Sequence, residues 1–348
     1  MLIADRYELI GDIPPGGMSY VAECRDRHLD RRVVLKVLRK GVEDRRLLDE
    51  QKALLSLRSK HVVQILDIVP ILLDGTRRSG LILEYIDGTD LQIGSIQSVD
   101  TLLRVMWQIA CGLADIHAKG VIHRDIKPNN IRIDGEGVVK ILDFGLARDA
   151  GAAATVGAIG TMGFMAPELW SASHVSFDRS IDVYAFCVTA IALASGSLPA
   201  PLARIPPVAL LEDDVRNALP SVAPSVLELV TRGLSPNPSS RPSAAELRDT
   251  IAREILKGQH RGLVVLNGKP HELNNGSRII NIGSNVGQIS IKYDEYRFIV
   301  DSVTGTVTIN NRGIKPGDEV PGCCVITFGD GGRRSFVTFD ISNPEVAS

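Results

Sequence analysis

Three short stretches carry side chains whose types and spacing could do chemistry together. His123-Arg124-Asp125-Ile126-Lys127-Pro128-Asn129-Asn130 puts a carboxylate, an ammonium and a carboxamide close in sequence. Thirteen residues after Asn130 comes Asp143-Phe144-Gly145, and further on Ala166-Pro167-Glu168. A carboxylate such as Asp125 suits accepting or orienting a hydroxyl proton. The side-chain oxygens of Asn130 and Asp143 suit a hard cation such as magnesium. Phosphoryl transfer asks for this kind of set, because its loose transition state is served mostly by positioning and charge neutralisation.

The first stretch matches H-R-D-x-x-x-x-N at every fixed position, and the order of all three resembles a eukaryotic-like (Hanks-type) serine/threonine protein kinase of the bacterial branch. The resemblance covers roughly residues 7–257 and implies ATP and Mg2+ as cofactors, with Mn2+ as an alternative metal. It implies that Asp125 acts on the acceptor hydroxyl, that Lys127 steadies the γ-phosphate, and that Asn130 and Asp143 hold the metal. An isolated His-Arg-Asp triplet would be compatible with an ordinary helix–loop–hairpin; three motifs in this order are not. Small-molecule kinases of the aminoglycoside type share the Asp and Asn but usually lack the Lys and the Ala-Pro-Glu.

Those residues need a scaffold, and the chain is long enough to supply one. It has 348 residues, which suggests two domains, and a 44% hydrophobic content sufficient for a large core. Lys+Arg total 39 against Asp+Glu 41, a net charge of −2, which gives no pull towards nucleic acid or an anionic membrane surface. Five scattered cysteines with no C-x-x-C spacing argue against a zinc site or a disulfide framework and read as free thiols in a reducing cytoplasm. The stretch Met1–Tyr7 lacks the segments of a signal peptide, and no apolar run is long enough to span a bilayer. The expectation is a cytoplasmic protein without membrane association.

Towards the N-terminus, Gly16-Gly17-Met18-Ser19-Tyr20-Val21 resembles the second half of a kinase Gly-rich loop, preceded by the unusual Pro14-Pro15. Glycines let backbone amides approach phosphate oxygens closely. Gly16, Gly17, Ser19 and Val21 are therefore implied nucleotide contacts. Arg32-Val33-Val34-Leu35-Lys36 reads as an alternating strand, and Lys36 lies 15 residues after Val21. The resemblance makes Lys36 the contact to the α- and β-phosphates and Val34 a neighbour of the base. Glu50, with Asp49 as the competing choice, would pair with Lys36 from a helix around 45–57.

The run Gly80–Tyr85 leads to a hinge in which Leu83 would be the gatekeeper and Glu84 and Ile86 would offer backbone groups to adenine. Asp90 reads equally as a ribose contact or a solvated carboxylate. The spacing predicts a long amphipathic helix over 99–119, ended by Gly120. It also predicts a hairpin over 131–142 that brings Asp143 beside Asn130. His123 reads as structural and not as a base. Asp182 would hold the catalytic-loop backbone, and Arg241 would pair with Glu168.

Between Leu146 and Gly160 the chain is rich in small residues, with Thr155 six residues ahead of Thr161. The resemblance makes Thr155 an autophosphorylation site answered by Arg124, with an inert loop as the alternative. It makes Thr161 a partner of Asp125 and Lys127.

From Gly258 onwards, short β-like runs separated by turn signals predict a small all-β sandwich. Ile282-Gly283 and Ile314-Lys315-Pro316-Gly317-Asp318-Glu319-Val320 resemble parts of a forkhead-associated (FHA) domain. Ser284 stands where that family carries its phosphate-binding Arg, and no Ser-x-x-His is present, so the resemblance implies an interaction or docking module. The expected fold is α+β: a bilobal protein-kinase domain over 1–257, with a β-rich N-lobe and a helical C-lobe, followed by the β-sandwich over 258–348. The expected function is ATP-dependent phosphorylation of protein Ser/Thr hydroxyls. The alternative is a pseudokinase scaffold that binds partners through its β-domain.

Overall fold

The computed structural model describes residues 1–11, 20–37, 55, 57–73, 75–142, 163–170, 178–266, 269–331 and 334–346. The chain divides into two compact units, one running from Met1 to Ile251 and one starting at Ala252. The division falls before the change of composition at Gly258.

The first unit opens with a twisted sheet of six strands: β1 (Leu2–Ile3), β2 (Tyr7–Leu9), β3 (Tyr20–Asp26), β4 (Arg31–Val37), β5 (Ile65–Leu73) and β6 (Thr76–Glu84), in the order β1-β2-β3-β4-β6-β5. Alternation decides the faces. Val33, Leu35 and Val37 of β4 point into a core shared with Cys24, Val69, Ile71 and Ile82. Ion pairing anchors the edge: the buried Asp26 carboxylate accepts two hydrogen bonds from the Arg6 guanidinium, at 2.8 and 2.7 Å, and two more from the His28 and Leu29 amides.

A second, three-stranded sheet, β7 (Gly88–Asp90), β8 (Ile131–Asp134) and β9 (Val139–Ile141), carries the segments around the catalytic loop. The stretch 88–90 reads as loop in the sequence because a three-residue strand carries too little periodicity to detect. Gly88 is required there: a Cβ would lie 2.2 Å from the Ile133 carbonyl oxygen.

Helix α1 (Val99–Ala118) is capped by the Ser98 hydroxyl and terminated by Gly120 at φ +76°. Its buried stripe includes Leu102, Met106, Ile109, Leu113 and Ile116. Helix α2 (Ser180–Ser195) buries residues all round its circumference, as a helix at the centre of a core does. Helices α3 (Glu212–Ala218), α4 (Pro224–Gly233) and α5 (Ala244–Ile255) follow. Helix α3 has no sequence signal beyond its acidic first turn and a single buried residue, Val215. Among the described residues, no helix is long and apolar enough to cross a membrane.

The second unit contains two antiparallel sheets. One has the order β11-β10-β18-β17-β15-β16, the other β12-β13-β14. Their ranges are β10 (Arg261–Leu266), β11 (Lys269–Leu273), β12 (Ile279–Ser284), β13 (Gly287–Tyr293), β14 (Phe298–Gly305), β15 (Val307–Ile309), β16 (Arg312–Gly313), β17 (Cys323–Phe328) and β18 (Ser335–Ser342). One core takes residues from both: Ile282, Ile289, Ile291 and Phe298 from the smaller sheet, and Val264, Ile326, Phe328 and Phe339 from the larger. Strands β11 and β16 are absent from the sequence expectation. Exposed Lys269, Pro270, His271 and Glu272 give β11 no apolar alternation to read.

The Arg6 guanidinium, ahead of the cost of burial, holds the Asp26 carboxyl down to about 2 from its ordinary 3.8. Because the folded-state value is the lower one, this stabilisation is complete above about pH 4 and is lost as the pH falls towards 2. Asp26→Asn is expected to cost roughly 2 kcal/mol at pH 7. Urea titrations of both proteins between pH 7 and pH 3 check this: the gap between them should hold down to about pH 4 and then narrow.

Candidate active site

The catalytic loop is built around one buried carboxylate. Asp182, in the first turn of α2, is 1% exposed. Its Oδ2 accepts from the His123 amide and from His117 Nε2, and its Oδ1 accepts from the Arg124 amide, each at 2.8 Å. Arg124 sits at φ +71°, a left-handed conformation that costs a non-glycine residue about 1 kcal/mol or more. The hydrogen bonds that the His123 and Arg124 amides give to Asp182 hold it there.

His123 is fully buried and spends both ring nitrogens on backbone. Nε2 meets the Leu142 carbonyl oxygen at 2.7 Å, and Nδ1 accepts from the Asp125 amide at 3.3 Å. A carbonyl only accepts, so Nε2 carries the proton and Nδ1 is the acceptor. This is a positioning role: the ring links the loop to the residue just before Asp143. The Leu142 amide, which donates to the Asn130 carbonyl at 2.8 Å, makes a second link between the same segments.

Asp125, Lys127 and Asn130 converge. Asp125 Oδ2 accepts from Lys127 Nζ and from Asn130 Nδ2, both at 2.8 Å. Asn130 Nδ2 also donates to the Asp125 carbonyl at 2.8 Å. Two acceptors beside one end of the carboxamide identify that end as the NH2 and leave Asn130 Oδ1 as the metal-facing type of atom. Asp125 Oδ1 takes no hydrogen bond from a described residue. The described side-chain hydrogen bonds to this carboxylate therefore converge on Oδ2. A carboxamide oxygen such as Asn130 Oδ1 is of the type that a hard divalent cation takes.

On the nucleotide side, Val21 and Lys36 lie directly opposite each other on β3 and β4, and Lys36 is 5% exposed. Val34 pairs with Leu83 across β4 and β6. Cations grip the hinge that follows. Arg32 lies 3.7 Å from the centre of the Tyr85 ring and donates to its hydroxyl at 2.7 Å. Lys140 donates to Glu84 Oε1 at 2.8 Å. Arg132 donates through Nε to Asp90 Oδ1 at 2.7 Å and through Nη1 to the Ile86 carbonyl at 3.3 Å. Asp90, read from sequence as a ribose contact or a solvated carboxylate, is instead ion-paired. Of the other expected site residues, Gly16, Gly17, Ser19, Glu50, Asp143, Thr155 and Thr161 lie outside the described residues.

The model of the protein kinase domain family matches residues 7–251. The chain belongs to this family. Among curated relatives, the chain is 31% identical to "Serine/threonine-protein kinase pkn3" of Myxococcus xanthus, over 80% of this chain and 54% of the relative. It is 31% identical to "Probable serine/threonine-protein kinase pknA2" of Bifidobacterium longum, over 73% of this chain and 36% of the relative. It is 29% identical to "Serine/threonine-protein kinase PrkC" of Bacillus subtilis, over 70% and 39%. The chain thus spans between about a third and a half of these relatives' lengths.

Another expected pair is present. Arg241 donates to both oxygens of Glu168 at 2.7 Å, and also to the Ser235 and Ser180 carbonyls. A fully buried guanidinium is tolerated only with this degree of pairing. Cys187 is likewise a packed thiol, fully buried on α2, and burial pushes its pKa well above the ordinary thiol value.

Arg132 and Lys140 are the site residues that sequence reasoning passed over. The available signal was two cations at alternate-strand positions of the 131–142 hairpin. Their partners become visible only with the pairing Asp90↔Arg132↔Lys140 across β7, β8 and β9.

Asp182→Asn keeps the size of the side chain but replaces one acceptor oxygen by a donor facing a donor. The loss should be about 2–4 kcal/mol of unfolding free energy, since buried donors are left unpaired. Urea denaturation measures it, and the His123 and Arg124 amides should exchange hydrogen faster than in the wild type.

Proposed function

We propose that this chain is a serine/threonine protein kinase that transfers the γ-phosphate of ATP to protein hydroxyls, using Mg2+, with Mn2+ as a substitute. The observation that carries the reading is the shared Asp125 oxygen: Lys127 and Asn130 both bind Oδ2. An incoming hydroxyl then has a single open carboxylate oxygen, Oδ1, to donate to. Bound together, ATP and the cation supply the transferable phosphoryl group and neutralise its charge. Asn130 Oδ1 and Asp143 would hold the metal, Lys36 the phosphates with Glu50 as its partner, and the 16–21 loop the triphosphate from above. Glu84 and Ile86 would meet the base by their backbone groups. Lys127 would follow the γ-phosphate, and Thr161 would complete the contacts at Asp125.

The reading extends to regulation and location. Thr155 is the autophosphorylation site, ordered by Arg124 once it carries phosphate. Residues 1–257 act as the kinase domain, and 258–348 as an FHA-like docking module for a protein partner or for the chain itself. Binding of phosphothreonine is not part of the reading, since Ser284 lacks the charge that such a ligand needs. The protein works in the cytoplasm on protein substrates, without nucleic acid or membrane as a partner.

Incubation of the purified chain with ATP and Mg2+, followed by phosphosite mapping by mass spectrometry, tests this. Phosphate is expected on Thr155 and is expected to fall at least about 100-fold in Asp125→Asn. Phosphate only at other positions would keep the kinase and remove the Thr155 switch. No transfer to the chain or to a generic acceptor protein would favour a pseudokinase scaffold.

A further inference from the structure

We propose that the cleft bounded by the 58–64 segment, Glu84 and Lys140 is a second ligand site, which takes a phosphate monoester dianion. Its volume of about 350 Å³ lies at the small end of ligand-binding clefts. Among the described residues, its lining carries three cations, Arg58, Lys60 and Lys140, against one carboxylate, Glu84. Apart from Glu84, none of the described residues assigned to nucleotide lines it. The proposal therefore goes beyond the kinase reading and does not depend on it.

Three separate stretches form the walls, and backbone hydrogen bonds fix them to one another. The Ile141 amide donates to the His61 carbonyl and the Val63 amide to the Ile141 carbonyl, both at 2.9 Å. The Glu84 amide donates to the Gln64 carbonyl at 3.0 Å. Glu84 Oε1 accepts from the Gln64 amide and from Lys140 Nζ, both at 2.8 Å. Lys140 offsets that carboxylate with one of its three N–H donors, and the lining as a whole stays cationic through Arg58 and Lys60, both exposed. Ser59 Oγ accepts from the His61 amide at 3.2 Å, which leaves its hydroxyl proton to donate. A guanidinium offers two parallel donors to phosphate oxygens, and an ammonium a compact charge. A phosphate monoester carries close to two negative charges at neutral pH and three acceptor oxygens, so it matches this lining in charge and in donors. Small phosphate esters and phosphorylated side chains carry the same dianion, and the test separates them.

The experiment uses the full chain with Mg2+ and a saturating non-hydrolysable ATP analogue, so that the nucleotide site is filled. Calorimetry gives Kd for phenyl phosphate and for phenyl sulfate, which carries one charge fewer. Phenyl phosphate is expected to bind with a Kd of about 1 mM or tighter, and phenyl sulfate about tenfold more weakly. Arg58→Ala and Lys60→Ala should each weaken phenyl phosphate about tenfold, the size of one charge-assisted hydrogen bond. Both side chains are exposed, so the unliganded Tm should match the wild type. Arg58→Gln, which removes the charge and keeps hydrogen-bonding groups, serves if Arg58→Ala fails to fold.

A phosphoserine peptide separates the two carriers. Binding at least about tenfold tighter than phenyl phosphate, and lost in Arg58→Ala, assigns the site to a phosphorylated protein; anything weaker assigns it to a small phosphate ester. Three results would overturn the proposal: no binding of phenyl phosphate to the wild type, equal Kd for phenyl phosphate and phenyl sulfate, or variants that bind phenyl phosphate like the wild type. A wild-type chain that binds no nucleotide would defeat the kinase reading alone, because Arg58→Ala and Lys60→Ala would still locate the bound phosphate.

Discussion

The structure of the site depends on the Asp182 carboxylate. It is buried, it belongs to a helix that is buried almost all round, and it spends its oxygens on the His123 and Arg124 amides and on His117. A buried carboxylate left unpaired would be costly, so the fold and the loop conformation are stabilised together or not at all. The left-handed Arg124 turns the chain so that His123 points down to the Leu142 carbonyl and Asp125 points the other way, to Lys127 and Asn130. Catalytic geometry thus rests on a helix and a strand end, not on the loop's own preferences.

Charge is distributed by the same economy of pairing. The hairpin β8–β9 sets Arg132 and Lys140 as cross-strand neighbours, which would repel if left alone. Each takes a separate hinge carboxylate, Asp90 and Glu84, so the two cations become two ties between the hinge and the hairpin. Even if each of these part-buried pairs contributes only about 1 kcal/mol to stability, the geometry remains. Their consequence is geometric: they fix where the hinge lies relative to Asn130. Arg241 and Glu168 likewise tie the 166–168 segment to the 235–241 segment, through a fully buried guanidinium.

Much of this was legible in the sequence, and the reason is local. Asp125, Lys127 and Asn130 fall within one short loop, so their spacing alone brings them together, and α1 and the 131–142 hairpin follow from periodicity and turn residues. The alternation of 32–36 reads as the strand that carries Lys36, whereas its pairing with Val21 is seen only in the fold. What escaped depends on pairing between distant segments. Strand β7 is three residues long and exists because Gly88 permits close approach to Ile133. The fate of Asp90 is decided by Arg132, 42 residues away. In the second unit β11 went unseen, because its side chains are mostly exposed.

The central claim is that Lys127 and Asn130 act on one oxygen of Asp125 and so orient the carboxylate as a unit. A double-mutant cycle on the phosphoryl-transfer rate, using Lys127→Ala, Asn130→Ala and the pair, measures this coupling directly. The account predicts strong non-additivity, with the double variant little slower than the worse single one. Losses that multiply independently would contradict it.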